Sequence, residues 1–186
     1  MSSNRFINPF RYLAGGKALL IGLAVMSLTA FIATFSGTHF DGVLDAHFSE
    51  RFALQIALAE VLVDWVTTVI VFFGLGRLLS SAGFRFLDIA GTLAFARLPM
   101  IFVACVGFLV RPGKPDLEAL DPSYIVAGLL ALPFLVWMVT WLYQAFVTCT
   151  NLKGGKATGG FIAALVLAEL LSKAAFYYLF HPVIKL

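Results

Sequence analysis

Five ionisable residues sit inside otherwise apolar stretches of this chain: Glu60, Asp64, Arg97, Glu169 and Lys173. A charge at the centre of a bilayer costs about 2.5–3.5 kcal/mol on insertion scales unless it is paired, so such residues form either ion and proton sites or pairs that fix helix register. Glu60 and Asp64 are four residues apart, as are Glu169 and Lys173, and that spacing stacks each pair on one helix face. Two stacked carboxylates repel, so at least one requires a cation or a proton. With a rise of about 1.5 Å per residue, depth counting predicts a buried charge layer that pairs Arg97 with Asp64 and Glu169, and Lys173 with Glu60. Asp88 lies nine residues before Arg97 and falls outside this layer, at the cytoplasmic interface.

A second group lies in GTHFDGVLDAHFSERF, residues 37–52, where His39, Asp41, Asp45 and His47 form the near-palindrome H-x-D-x3-D-x-H. These are metal-ligand residue types. Gly42 interrupts any helix there, however, and acids and histidines are common on wet surfaces. The segment is expected to be a polar exoplasmic loop, with the four residues only weak metal candidates and no cofactor. Enzyme chemistry finds no support: H-E-x-x-H is absent, and no Ser–His pair falls within a span. The glycine-rich NLKGGKATGG, residues 151–160, lacks phosphate-loop spacing and is expected to be a flexible cytoplasmic turn.

The elements that must position these groups are apolar runs. The chain is 61% hydrophobic and 12% charged, well below the charge content of soluble domains. A helix spans the bilayer with roughly 20 apolar residues, and runs of that length occur at about 17–36, 53–80, 86–110, 123–149 and 161–180. The sequence therefore predicts an all-α integral membrane protein: a five-helix membrane domain over 17–186, preceded by a cytoplasmic or interfacial segment, 1–16. In that segment Asn8 before Pro9 has the form of a helix cap, and Phe6, Ile7, Phe10, Tyr12 and Leu13 are expected at the lipid interface or in a partly ordered tail. Pro99 and Pro133 fall inside spans and are expected to kink them. Cys105 and Cys149 fall toward opposite faces, so no disulfide joins them. Lysines and arginines near span ends (Arg5, Arg11, Lys17, Arg77, Arg85, Lys153 and Lys156 against Arg51, Arg111, Lys114 and Lys185) place the N-terminus in the cytoplasm and the C-terminus outside. No basic patch suggests nucleic acid.

NPFRYLAGGKALL before the first span, GTLAFARLP in the third and NLKGGKA before the last carry a resemblance to the Yip family, the Ypt-interacting-protein-like membrane domain, and within it to the bacterial branch. The resemblance implies five membrane helices with a cytoplasmic N-terminus, in a multi-pass protein of the bacterial inner membrane. Eukaryotic members act in vesicle trafficking and contact prenylated Rab GTPases; the bacterial branch supplies no activity. The expected role is a non-catalytic scaffold or adaptor, with the lipid bilayer, a membrane protein or a second copy as partner. The alternative is an ion, proton or small-solute transporter that uses the buried charges, as an oligomer if one is formed.

Overall fold

The computed structural model describes residues 8–110 and 122–184, residues 180–184 in backbone only. Among the described residues, five helical segments are long and apolar enough to cross a membrane: Gly15–Ser36, Leu54–Leu79, Phe86–Leu109, Pro122–Thr150 and Gly154–Leu179. A lipid environment offers backbone groups no hydrogen-bond partner, so runs of this kind close their bonds internally as helices. The chain is an all-α bundle of the multi-pass membrane type. We name the helices α1 (Gly15–Ser36), α2 (Leu54–Leu79), α3 (Phe86–Ala96), α4 (Met100–Val106), α5 (Pro122–Thr150) and α6 (Gly154–Ile184).

Helices α1 and α3 pack closely along their length, and small residues permit it. A Cβ on Gly22 would fall 2.6 Å from the backbone of Ala94 and Phe95, and one on Gly91 would fall 2.8 Å from Leu19 N. Between helices in lipid, where water drives no association, such close backbone packing supplies the attraction. Ala18 lies against Gly91 and Ala94 against Gly22 in the same seam, and Ala30, Ala33 and Ala90 are likewise fully or almost fully buried.

The third span is divided. Amide donors from Arg97 to Phe102 reach back only three residues, as in Met100 N to Arg97 O at 2.9 Å and Phe102 N to Pro99 O at 3.1 Å. Pro99 cannot donate to a four-residue helical bond, and the chain tightens there into a break between α3 and α4. Pro133, by contrast, lies within the uninterrupted helix α5.

Three local outcomes differ from the sequence expectations. The segment before α1 is docked: Asn8 Oδ1 caps a short 3-10 helix, Pro9–Arg11, by accepting from Phe10 N–H at 3.2 Å. Phe10 is buried, edge-on to Phe95 and Trp141, and does not lie at a lipid interface. Asn8 Nδ2 donates to Gln144 Oε1 at 3.1 Å, which ties the segment to α5. Residues 1–7 lie outside the described residues. Next, the glycine-rich turn is short: α6 starts at Gly154, so Ala157 and Gly160 are helical. Asn151 (φ 55°) and Gly154 (φ 58°) supply the reversal, and a Cβ on Gly160 would fall 2.7 Å from Leu79, so this glycine seats α6 on α2. Finally, residues 37–52 fold back on the bundle. Gly37 ends α1 in the left-handed region, φ 69°, and two short antiparallel strands follow, β1 (Thr38–His39) and β2 (His47–Phe48).

Candidate functional site: a polar column beneath the hairpin

The apolar residues interleaved with the acids of this loop explain its fold. Phe40 and Val43 are 2% and 0% exposed, so the loop's polar side chains are carried onto the ends of α2 and α6. Glu60, on the first turns of α2, accepts from Phe40 N–H at 2.9 Å and faces His39 Nδ1 at 2.8 Å. Glu169 of α6 accepts from Leu44 N–H at 2.9 Å. One turn on, Lys173 donates to Asp45 and lies 3.8 Å from Asp41 Oδ1. Gly42 fits between these groups: a Cβ there would fall 2.9 Å from Asp45 Cβ and 3.1 Å from Lys173 Cε.

Around the loop the imidazoles of His39 and His47 stack, with centroids 5.1 Å apart and planes 8° from parallel. His47 Nδ1 lies 3.3 Å from Asp41 Oδ1. The hydrogen bond to Asp41 raises the His47 pKa above its ordinary value, and the same bond holds the Asp41 carboxyl below its own. A raised imidazole pKa gives stability that is lost as pH rises through it. A lowered carboxyl pKa gives stability that is lost as pH falls through it. The pair therefore holds the loop best between those two values.

Deeper in the bundle, α2, α6 and the break after α3 meet. Arg97 and Asp64 are 5% and 0% exposed. Arg97 Nη1 lies 3.7 Å from Asp64 Oδ2, and Nη2 donates to Thr68 Oγ1 at 3.1 Å. Thr68 Oγ1 in turn donates to the Asp64 carbonyl at 2.5 Å. Ser172 of α6 donates to Asp64 Oδ1, whereas Asp64 Oδ2 accepts no hydrogen bond. A cavity of about 10 Å³ lies beside Arg97, among Met26, Thr29, Phe40, Val61 and Met100, room for about one water.

Of the predicted layer, Arg97 and Asp64 come together. The other pairings differ. Glu169 does not reach Arg97 as an ion pair or hydrogen bond among the described residues; it binds the loop backbone. Lys173 does not meet Glu60; its partners are Asp45 and Asp41. Glu60 is matched instead by His39 and an amide. The expectation of a solvated loop caused these differences, because it withheld the loop's acids and amides from the bundle. Asp88 pairs with Arg85, with Oδ1 2.8 Å from Nη2, away from the column. Cys105 and Cys149 are both free. Ser172 and Thr68 were missed; Thr68 follows Asp64 by four residues and Ser172 follows Glu169 by three, so each shared a helix face with a recognised charge and spacing was the signal that could have found them.

Beyond the column, a groove of about 610 Å³ opens between α5 and α6, with apolar walls that include Leu132, Val136, Tyr143, Phe161 and Ile162. Compared with family models, curated proteins and solved structures, the chain matches none.

Proposed function

We propose that this chain is a Yip-like, non-catalytic scaffold or adaptor of the bacterial inner membrane, with the hairpin end of the bundle exoplasmic and the N-terminus cytoplasmic. One observation supports this reading above others: the column's charges are engaged with one another and with the hairpin backbone. Glu60, Glu169 and Lys173 fasten the loop to α2 and α6, and Arg97 joins the third span to Asp64. Charges used in this way set register. Partner contact then falls to the lipid-facing helix surfaces, where the groove between α5 and α6 lies, and the partner is a membrane protein or a second copy within the bilayer.

A second reading, proton or ion transport, draws on the buried Asp64 Oδ2 that accepts no hydrogen bond and on the one-water cavity beside Arg97. Reconstitution into liposomes with an enclosed pH-sensitive dye separates the two. The scaffold reading expects no proton flux above protein-free vesicles, and crosslinking in native membranes that recovers one defined partner or a dimer. A flux that disappears in Asp64→Asn would replace it with transport.

A further inference from the structure

We propose that the pocket where α2 and α5 end and α6 begins binds the phosphate of an anionic phospholipid headgroup, held by Lys153 and Lys156. The cavity there measures about 340 Å³, and its polar walls come from Ser80, Ser81, Thr150, Asn151, Lys153 and Lys156. The groove between α5 and α6, by contrast, offers an anion no cation.

The walls of this pocket are tied together. Ser80 Oγ donates to the Thr150 carbonyl at 2.5 Å and accepts from Ala82 N–H at 3.0 Å, which joins the end of α2 to the end of α5. Gly76 and Gly160 let the same ends close up: a Cβ on Gly76 would fall 2.9 Å from Thr150 Cγ2, and one on Gly160 would fall 2.7 Å from Leu79. Two helix C-termini meet here, and their free carbonyls would repel an anion. Those of Gly76 and Thr150 are taken up by Ser80 N–H and Oγ, and that of Val147 by Asn151 N–H. Helix α6 starts at Gly154, between the two lysines in sequence. The first amides of a helix have no acceptor within it, so they add to the attraction of the ammonium groups.

Charge points to the same ligand. Arg11, Lys17, Arg77, Arg85, Lys153 and Lys156 stand at this end of the bundle, against Asp88 as the one acid there among the described residues. Arg85 holds Asp88 in a salt bridge, and the Arg77 guanidinium lies over the rings of Phe73 and Phe84. Lys153 and Lys156 are exposed and have no ion pair among the described residues. Basic pockets between membrane helices on the cytoplasmic side are matched to anionic headgroups. Depth selects a lipid over a soluble phosphate. The apolar surface of α2 stops at the pocket, where Leu78 and Leu79 are 82% and 39% exposed and Ser80 follows. A headgroup at the lysines therefore has exposed leucines beside it for its acyl chains. The site goes beyond the scaffold reading and does not depend on it.

The test is native mass spectrometry of the full-length protein released from detergent micelles, with phosphatidylglycerol and phosphatidylcholine of identical acyl chains as probes. Phosphatidylglycerol should bind more tightly than phosphatidylcholine, with a single high-affinity adduct per chain. Lys153→Gln and Lys156→Gln should each weaken that adduct by about fivefold, the effect of one basic contact at an anionic lipid surface. Lys153→Arg and Lys156→Arg should retain it. Lys17→Gln removes an exposed cation from the same end and should leave the adduct unchanged. Equal binding of the two lipids would overturn the proposal. So would a loss in Lys17→Gln as large as in the two pocket variants, since that means diffuse attraction to the basic end. Displacement of phosphatidylglycerol by inorganic phosphate at fixed ionic strength would overturn it as well, by assigning the pocket to a soluble anion.

Discussion

Arg97 is the residue whose removal should be felt most. It is buried between spans, with Asp64 Oδ2 at 3.7 Å and Thr68 as a hydrogen-bond partner. Arg97→Leu leaves the Asp64 carboxylate buried without its cation, and breaking such a pair costs about 3–5 kcal/mol. Arg97→Leu combined with Asp64→Leu should recover much of that loss, because two apolar side chains leave no stranded charge. Reversible unfolding in mixed micelles supplies the double-mutant cycle; losses that simply add would show that the pair has no coupling. Glu60→Ala makes a different prediction. It strands the buried Phe40 N–H, a loss of about 1–3 kcal/mol for an unsatisfied donor. Hydrogen exchange at the Phe40 amide should accelerate while amides of α3 keep their protection. Arg97 and Asp64 were legible in the sequence because few charges can reach that depth, and depth alone paired them. The partners of Lys173 and Glu169 were not legible. They lie in a loop whose return onto the bundle depends on Phe40 and Val43, two apolar residues among acids that follow no helical or strand period.

Among the elements, the α1–α3 crossing is where a single methyl group should matter. Gly22→Ala would place a Cβ 2.6 Å from the backbone of Ala94 and Phe95, which cannot move aside as a flexible side chain can. The helices must separate, and overpacking of this kind typically costs about 1–3 kcal/mol. Gly74→Ala is the matched control, since nothing lies within 4 Å of its Cβ and alanine favours the helix. Denaturant midpoints in micelles should fall for the first and hold or rise for the second; equal shifts would mean that α1 and α3 are not this close. Pro133 belongs to the same scale. Its ring removes one helical donor within α5, yet the helix runs unbroken from Pro122 to Thr150. Pro133→Ala should therefore leave the protein folded and no less stable. At the third span the sequence located the disturbance at Pro99, and the structure shows why Arg97 stands beside it: the break turns that residue out of the helical ladder toward Asp64. The start of α6 was harder to read, because glycines that signal a turn by composition here serve helix contact at Gly160.

At the scale of the whole molecule, the number of spans and the class of fold were legible because lipid leaves the backbone few choices, so long apolar runs translate directly into helices. Which end of the bundle faces the cytoplasm is a separate matter, set by charge outside the spans. Arg11, Lys17, Arg77, Arg85, Lys153 and Lys156 lie at the end where α1 and α6 begin and α2 ends. The opposite end carries the hairpin with its acids, and Arg51 beside it. Basic residues in short loops are retained on the cytoplasmic side, so the hairpin should face outward. Single cysteines test this in a background that lacks Cys105 and Cys149. Arg51 and Gly155 are both exposed positions, at opposite ends of the bundle. In intact spheroplasts an impermeant thiol reagent should label Arg51→Cys and spare Gly155→Cys, and detergent should then make both reactive. Labelling of Gly155→Cys alone before detergent would invert the molecule. It would also turn the hairpin, with Asp41, Asp45 and His47, toward the cytoplasm.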